Sequence, residues 1–181
     1  MTTVTSRPGL VELELVTTAT RPVVENLLQL YVHDLSQFRL SRPDEAGRYN
    51  HDERYAVFFS DPDRCAYLVR DENGPVGFGL VRGLGETRCL MAGFFVVRGV
   101  RRLGVGQVAA LAMLRRHPGV WEIPFQDENA VAARFWRHVA TSAVGESWIE
   151  DRRPVPLKPH LPNDVWITLD SSMMVPRASA R

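Results

Sequence analysis

The sequence predicts an α/β (α+β) fold, a β-sheet flanked by helices, and three stretches carry that prediction. Gly93 to Leu114 reads as an apolar strand, a basic glycine turn and a helix that is apolar almost all round. Cys65 to Val81 reads as two strands joined by a tight turn, with a third from about Arg88 to Val97. Val120 to Gln126 is a further strand, and Ala132, Phe135, Trp136 and Val139 behind it repeat at helical spacing.

Size and charge bound the possibilities. With 181 residues, 45% of them hydrophobic, residues 1–181 read as a single domain with a sizeable core and loose tails at about 1–9 and 174–181. The 22 basic and 21 acidic residues leave a net charge of +1, which argues against a dedicated nucleic-acid or anionic-membrane binder. Cys65 and Cys89 have neither metal-ligand spacing nor the pattern of a secreted disulfide scaffold, so no metal is expected. The amino terminus has no apolar leader and no stretch reaches membrane-spanning length; a reduced, cytoplasmic protein is the simplest expectation.

In order, Val11 to Val16 alternates apolar and acidic residues and predicts a first strand. Thr18 to Thr20 supply capping residues, and Pro22 suits a first helical turn. The helix that follows puts Val24, Leu27, Leu28, Tyr31 and Leu35 on one face. Tyr31, His33 and Asp34 resemble a catalytic cluster, but neighbours on a helix do not share a face, so at most two converge. A helix-surface histidine is the plainer account of His33. Arg39 to Arg64 is irregular; Asp52 to Ser60 suits a short helix carrying Tyr55, Phe58 and Phe59, either a substrate wall or a solvated connector.

Asp71-Glu72-Asn73-Gly74 is a hairpin turn in which Asn-Gly accepts positive φ. Gly77-x-Gly79 is not a dinucleotide fingerprint, because Arg82 fills the third glycine's place and no helix follows. Arg115, Arg116 and His117 put positive charge at the end of the helix that Pro118-Gly119 terminates. Asn129 is placed to cap the next helix. A last strand is expected at about Val165 to Asp170, beyond the Pro154–Pro162 cluster.

The glycine turn carries the chemistry. Glycines let a backbone turn tightly against a ligand, and the first N–H groups of a helix are unpaired and point outward. The helix dipole adds attraction for negative charge, so a diphosphate is the natural guest. Arg101-x-x-Gly104-x-Gly106 after an apolar strand resembles the acetyl-coenzyme A pyrophosphate loop of the Gcn5-related N-acetyltransferases, the GNAT superfamily. Asn129-x-x-Ala132 with Phe135-Trp136 resembles that family's later motif in order and register. The Pro-Gly-x-Trp-Glu segment further resembles a little-characterised bacterial branch of predicted acetyltransferases.

The resemblance implies a central mixed, largely antiparallel, splayed sheet flanked by helices. It implies that the backbone of Phe95 and Val96 bonds the pantetheine amides. Arg101, Arg102, Leu103, Gly104, Val105, Gly106 and Gln107 would then hold the pyrophosphate, and Asn129 the pantetheine side. Trp136, Tyr31 and Tyr55 would wall the pocket. Acetyl-CoA is the implied co-substrate, and the implied acceptor is a small-molecule amine or a protein amino group, attacking directly in a ternary complex. The family's habit of pairing exposed edge strands leans toward a homodimer.

Two departures concern acid and base. The family's frequent general acid is a Tyr where this chain has Trp136, whose indole delivers no proton at neutral pH. Many members place a glutamate on the strand before the loop, where this chain has Ala92 and Gly93. A lysine amine of pKa ~10.4 must lose its proton at pH 7, a penalty of about 4–5 kcal/mol, whereas an α-amine near ~7.8 costs only about 1 kcal/mol. The acceptor is therefore expected to be a low-pKa amine, such as an α-amine or an amino sugar. Otherwise a base comes from Glu86, His33, Asp34, Glu122 or Glu128. A non-catalytic acyl-CoA sensor is the alternative, and a nucleic-acid binder using Arg98, Arg101, Arg102, Arg115 and Arg116 is disfavoured by the balanced charge.

Overall fold

Alternating strand residues and one-sided helices assemble into a single mixed sheet in this computed structural model, which describes residues 11–49, 52–155 and 160–174. Most of the expected tails and part of the Pro154–Pro162 cluster lie outside the described residues. The strands are β1 (Glu12–Leu15), β2 (Arg64–Asp71), β3 (Gly74–Arg82), β4 (Arg88–Val96), β5 (Val120–Gln126), β6 (Trp148–Arg153) and β7 (Asp164–Asp170). Their order is β1-β2-β3-β4-β5-β7-β6, and every neighbouring pair is antiparallel except β4 and β5.

Among the described residues four α-helices flank the sheet: α1 (Arg21–Ser36), α2 (Asp52–Ala56), α3 (Val105–Arg116) and α4 (Ala130–Val144). One core lies between the sheet and α3 and α4, where Met113, Leu114, Trp121, Val139 and Ile167 are fully buried. The other lies under α1, where Val24 and Leu28 meet Leu68, Phe78 and Leu80. The β3 alternation seen in the sequence sends Phe78 and Leu80 to the α1 side and Val81 to the α3 side, as period-two geometry requires.

Three local outcomes differ from expectation. Thr20 stands at the α1 N-cap, but with helical dihedrals its hydroxyl accepts from the Thr17 N–H (3.0 Å) and caps no helical donor. In the hairpin, Gly74 and not Asn73 takes the positive φ, at 127°. The Asp71 carboxylate instead fixes the turn by accepting from the Asn73 N–H at 2.8 Å. Strand β6 carries no expectation from the sequence, because four of its six residues are charged and no alternation shows. It forms as an edge strand against β7, with Arg137 of α4 donating twice to Glu150.

Candidate active site

The parallel pair β4–β5 is the feature that makes a site. Its register runs Arg88 to Val120, Cys89 to Trp121 and Leu90 to Glu122, and then stops. From Met91 to Val96 β4 keeps β3 on one edge but, among the described residues, has no strand on the other. A strand edge of this kind presents main-chain donors and acceptors to whatever enters. The pairing with β3 also shifts between Leu80 and Val81, which face Gly93 and Met91, so Ala92 is an extra residue. Such a bulge bends its strand and re-aims the residues beyond it. After it Phe95 points toward α1, while Phe94 and Val96 point toward α3 and α4.

Beyond β4 the chain makes a single 3₁₀ turn at Arg98–Val100 and reaches α3. Gly104 caps the helix in the left-handed region at φ 83°, and Arg102 at φ 67° is the one non-glycine residue with positive φ among the described residues. Arg102, Leu103 and Gly104 are exposed. The first helical bond runs from the Val108 N–H to the Gly104 carbonyl at 3.0 Å, so the N–H groups of Val105, Gly106 and Gln107 have no acceptor within the helix. Gly106 packs closely: a Cβ there would stand 3.3 Å from the Phe135 ring. On the neighbouring helix Asn129 Oδ1 accepts from the Ala132 N–H at 3.0 Å, the cap its position predicted. Trp136 is 5% exposed, its ring edge-on to Phe94 and Phe135, so it belongs to the packed floor between β4 and α4.

The arginines of the turn do not all face solvent. Arg101 donates from Nε to the Val96 carbonyl (2.7 Å) and from Nη2 to Asp34 Oδ2 (2.6 Å), with its guanidinium 5.5 Å from the centre of the Phe95 ring. Arg98 Nη2 donates to the other oxygen of Asp34 at 2.7 Å. Burial alone would raise the Asp34 carboxyl, but the two arginine hydrogen bonds outweigh it and hold it below its ordinary value. Glu122 is fixed in the same manner, accepting from Arg88 (2.9 Å) and Arg153 (2.8 Å), which overcome its burial and lower it. A carboxylate bound by two guanidinium groups is a poor proton acceptor.

Of the remaining carboxylates and histidines named above, His33 is a surface side chain, 66% exposed, with Nδ1 3.7 Å from Asp34. Glu86 borders a shallow cavity of about 260 Å³ with Cys89 and His117, at the end of β4 remote from the glycine turn. Glu128 sits ahead of α4, 3.7 Å from Arg39. Tyr31 and Tyr55 do come together: their ring centres are 6.5 Å apart, and Tyr31 also packs edge-on against Phe78 and Phe95. Burial, the first cause in each case, raises both phenols. Asp164, which no sequence motif marks, lies opposite Gln126 in the β5–β7 register and accepts from Arg39 Nη2 at 2.7 Å. Burial raises its carboxyl against the pull of Arg39, the reverse of Asp34 and Glu122. Among the described residues no cluster of His, Cys, Asp and Glu is placed to hold a metal ion, and no helix is long and apolar enough to cross a membrane.

A family model described as the acetyltransferase (GNAT) family matches residues 27–140, from α1 into α4. The chain belongs to this family. Its sheet, open and mixed with flanking helices, is the GNAT fold. An acetyltransferase from Thermus thermophilus superposes with a TM-score of 0.64 at 15% identity, covering 91% of this chain and 99% of that one. A variant of the spermidine N-acetyltransferase of Vibrio cholerae gives 0.60 at 10% identity, with 89% and 95% covered. A ribosomal-protein-alanine N-acetyltransferase from Escherichia coli gives 0.55 at 13% identity, with 94% and 100% covered. At these identities the likeness is one of fold. Among proteins of curated function none has a matching sequence. Within the GNAT frame the glycine turn and the Asn129 cap stand at the starts of adjacent helices, next to the edge where β4 and β5 separate.

Proposed function

We propose that the chain transfers an acetyl group from acetyl-CoA to an amine, a small molecule or a protein amino group, by direct attack in a ternary complex. One observation carries this reading: β4 and β5 part at Leu90 and Glu122, and the free β4 edge leads into a helix start with three unpaired N–H groups. An extended amide-bearing arm fits the strand edge, and a diphosphate fits the helix start. Acetyl-CoA, when bound, supplies the activated acyl group. The residues of this chain would do the rest. Main-chain groups of Phe95 and Val96 would bond the arm, and N–H groups from Arg102 to Gln107 would hold the diphosphate. A backbone N–H near Val96 would meet the developing oxyanion.

A second reading, a non-catalytic acyl-CoA sensor, is favoured by two observations. Asp34 and Glu122 are tied to arginines, and Trp136 fills the family's frequent acid position. Titration calorimetry with acetyl-CoA on the wild type and on Gly104→Asp tests the cofactor site. Asp adds negative charge to the cradle, and because the left-handed φ of 83° strains a side chain there, a thermal melt of the variant checks that it stays folded. Binding by the wild type and its loss in the variant is the expected result. Wild-type protein without affinity for acetyl-CoA refutes both readings, and binding without turnover of any amine refutes the enzyme alone.

A further inference from the structure

On the half-sheet β5–β7–β6, the register places Glu122, Gln126, Asp164, Trp166, Thr168 and Arg153 on the face turned away from α3 and α4. Glu122 and Arg153 pair with each other, and the Arg153 guanidinium lies 4.8 Å from the centre of the Trp166 ring. Among the described residues Asp164 has a single hydrogen-bonded cation, Arg39. Among the described residues, four polar atoms on or beside this half-sheet are buried without a hydrogen-bond partner: Gln126 Oε1, Trp166 Nε1, Thr168 Oγ1 and Arg39 Nε. Trp166 is only 8% exposed. Buried polar atoms nearly always have partners, so orphans on Gln126, which lies opposite Asp164, on Arg39, which is bonded to it, and on Trp166, which follows it on the same face, mark a place that a polar ligand completes.

Asp164 lies within electrostatic reach of the Tyr31 wall. Its charge acts on the Tyr31 phenol, as does that of Arg54 on α2, and Tyr31 packs on Phe95 of the free β4 edge. Asp164 and Gln126 Oε1 accept hydrogen bonds; Trp166 Nε1 and Arg39 Nε donate them. The complementary ligand has an ammonium for the first pair and a nearby oxygen for the second. Arg39 and Arg54 oppose a second positive charge on that ligand. We propose that Asp164 and Gln126 receive the α-ammonium of an amino-acid amide or peptide N-terminus, whose carbonyl meets the unpartnered donors, and that Asp164 takes the ammonium's proton.

The proposal rests on the transferase reading. In the transfer the nitrogen–carbon bond forms as the thioester carbon–sulfur bond breaks; one ammonium proton goes to Asp164 and a second leaves with the thiol. Asp164 is faced by Arg39 from the segment after α1, Arg54 on α2, Glu128 ahead of α4, Tyr31 on α1 and Arg153, its cross-strand neighbour on β6, whose guanidinium is held by Glu122 and Asp151. Its burial narrows the gap in proton affinity to an α-amine of pKa about 8.

The test begins with acetyl-CoA binding by the wild type, whose absence refutes the transferase itself before any amine is added. Phenylalaninamide, a pentapeptide with an amino-terminal phenylalanine, and spermidine are then compared. At least one α-amine is expected to exceed spermidine about tenfold in kcat/KM, and which one identifies a small-molecule or a protein acceptor. Asp164→Asn, which keeps an oxygen for Arg39, is expected to lower kcat/KM at pH 6 about a hundredfold, with acetyl-CoA affinity unchanged. Wild-type kcat/KM should stay level from pH 6 to 7.5, whereas the variant's should rise about tenfold per pH unit as free amine accumulates. Gln126→Met should raise the amine KM and leave kcat within a few-fold. A preference for spermidine, failure of both α-amines with protein that binds acetyl-CoA, or an Asp164→Asn loss equal at every pH overturns the proposal.

Discussion

Adding one methyl group at Gly77 tests how the free edge of β4 is held. A Cβ built there lies 2.2 Å from the Phe95 carbonyl oxygen and 3.2 Å from Val96 Cα, so β3 and β4 must separate by at least 0.8 Å to reach 3.0 Å. Both obstacles are main chain in a paired strand and cannot rotate away. Overpacking costs about 1–3 kcal/mol, and the entropy gained by replacing glycine returns about 0.4–1 kcal/mol. Two residues on, a Cβ at Gly79 meets only the end of Met113, Sδ and Cε at 2.4 Å. Methionine has three rotatable bonds and repacks more readily. Gly77→Ala should therefore lose about 2 kcal/mol, which is about 4–8 °C in Tm, and Gly79→Ala no more than about 1 kcal/mol. Urea and thermal unfolding read the difference. Acetyl-CoA titration adds a second readout, because Gly77→Ala displaces Phe95 and Val96 and should weaken binding while Gly79→Ala should not. Equal stability of the two variants, or the reverse order, refutes the reasoning.

Asp34→Asn should cost about 1–3 kcal/mol at pH 7, since it breaks two charge-assisted hydrogen bonds. The folded Asp34 carboxyl is held below its ordinary value, so its contribution is fully present above that value and is lost as pH falls through the lower folded one. Urea unfolding at pH 7 and pH 3 should show the gap between wild type and variant shrinking in acid; a constant gap contradicts the clasp. Asn129→Ala removes the α4 cap and should lower stability by about 1 kcal/mol, or Tm by about 2–4 °C, in a thermal melt.

Much of the site's frame was legible in the sequence. The β5 limits, the β2–β3–β4 meander and the start of α3 are set by alternation, turn residues and glycine, all read within a few residues of one another. The Gly77-x-Gly79 pair is no nucleotide motif but makes room on β3, Gly77 for β4 main chain and Gly79 for Met113. Strand β6 was not legible, because its charges are paired across the sheet to α4, β5 and the β5–α4 connection rather than patterned along the strand. The part played by Arg101 was also hidden. Its place in the loop motif suggests a phosphate ligand, yet its side chain is engaged by Val96 and by Asp34, 67 residues away in sequence.

By itself the sequence determined the anion-ready helix start and the cap beside it. A left-handed Gly104, three unpaired N–H groups and an Asn129 side chain reaching the third residue onward are short-range consequences of residue type. Only the tertiary structure decided where β4 and β5 separate, which carboxylates are neutralised and which one stays singly paired. Those outcomes depend on strand register and on burial, and both are set by many long-range contacts at once. Asp34 falls and Asp164 rises relative to ordinary carboxyl behaviour, although both are half-buried and both meet arginine, because burial prevails at Asp164, which has one hydrogen-bonded guanidinium, and two guanidinium partners outweigh it at Asp34.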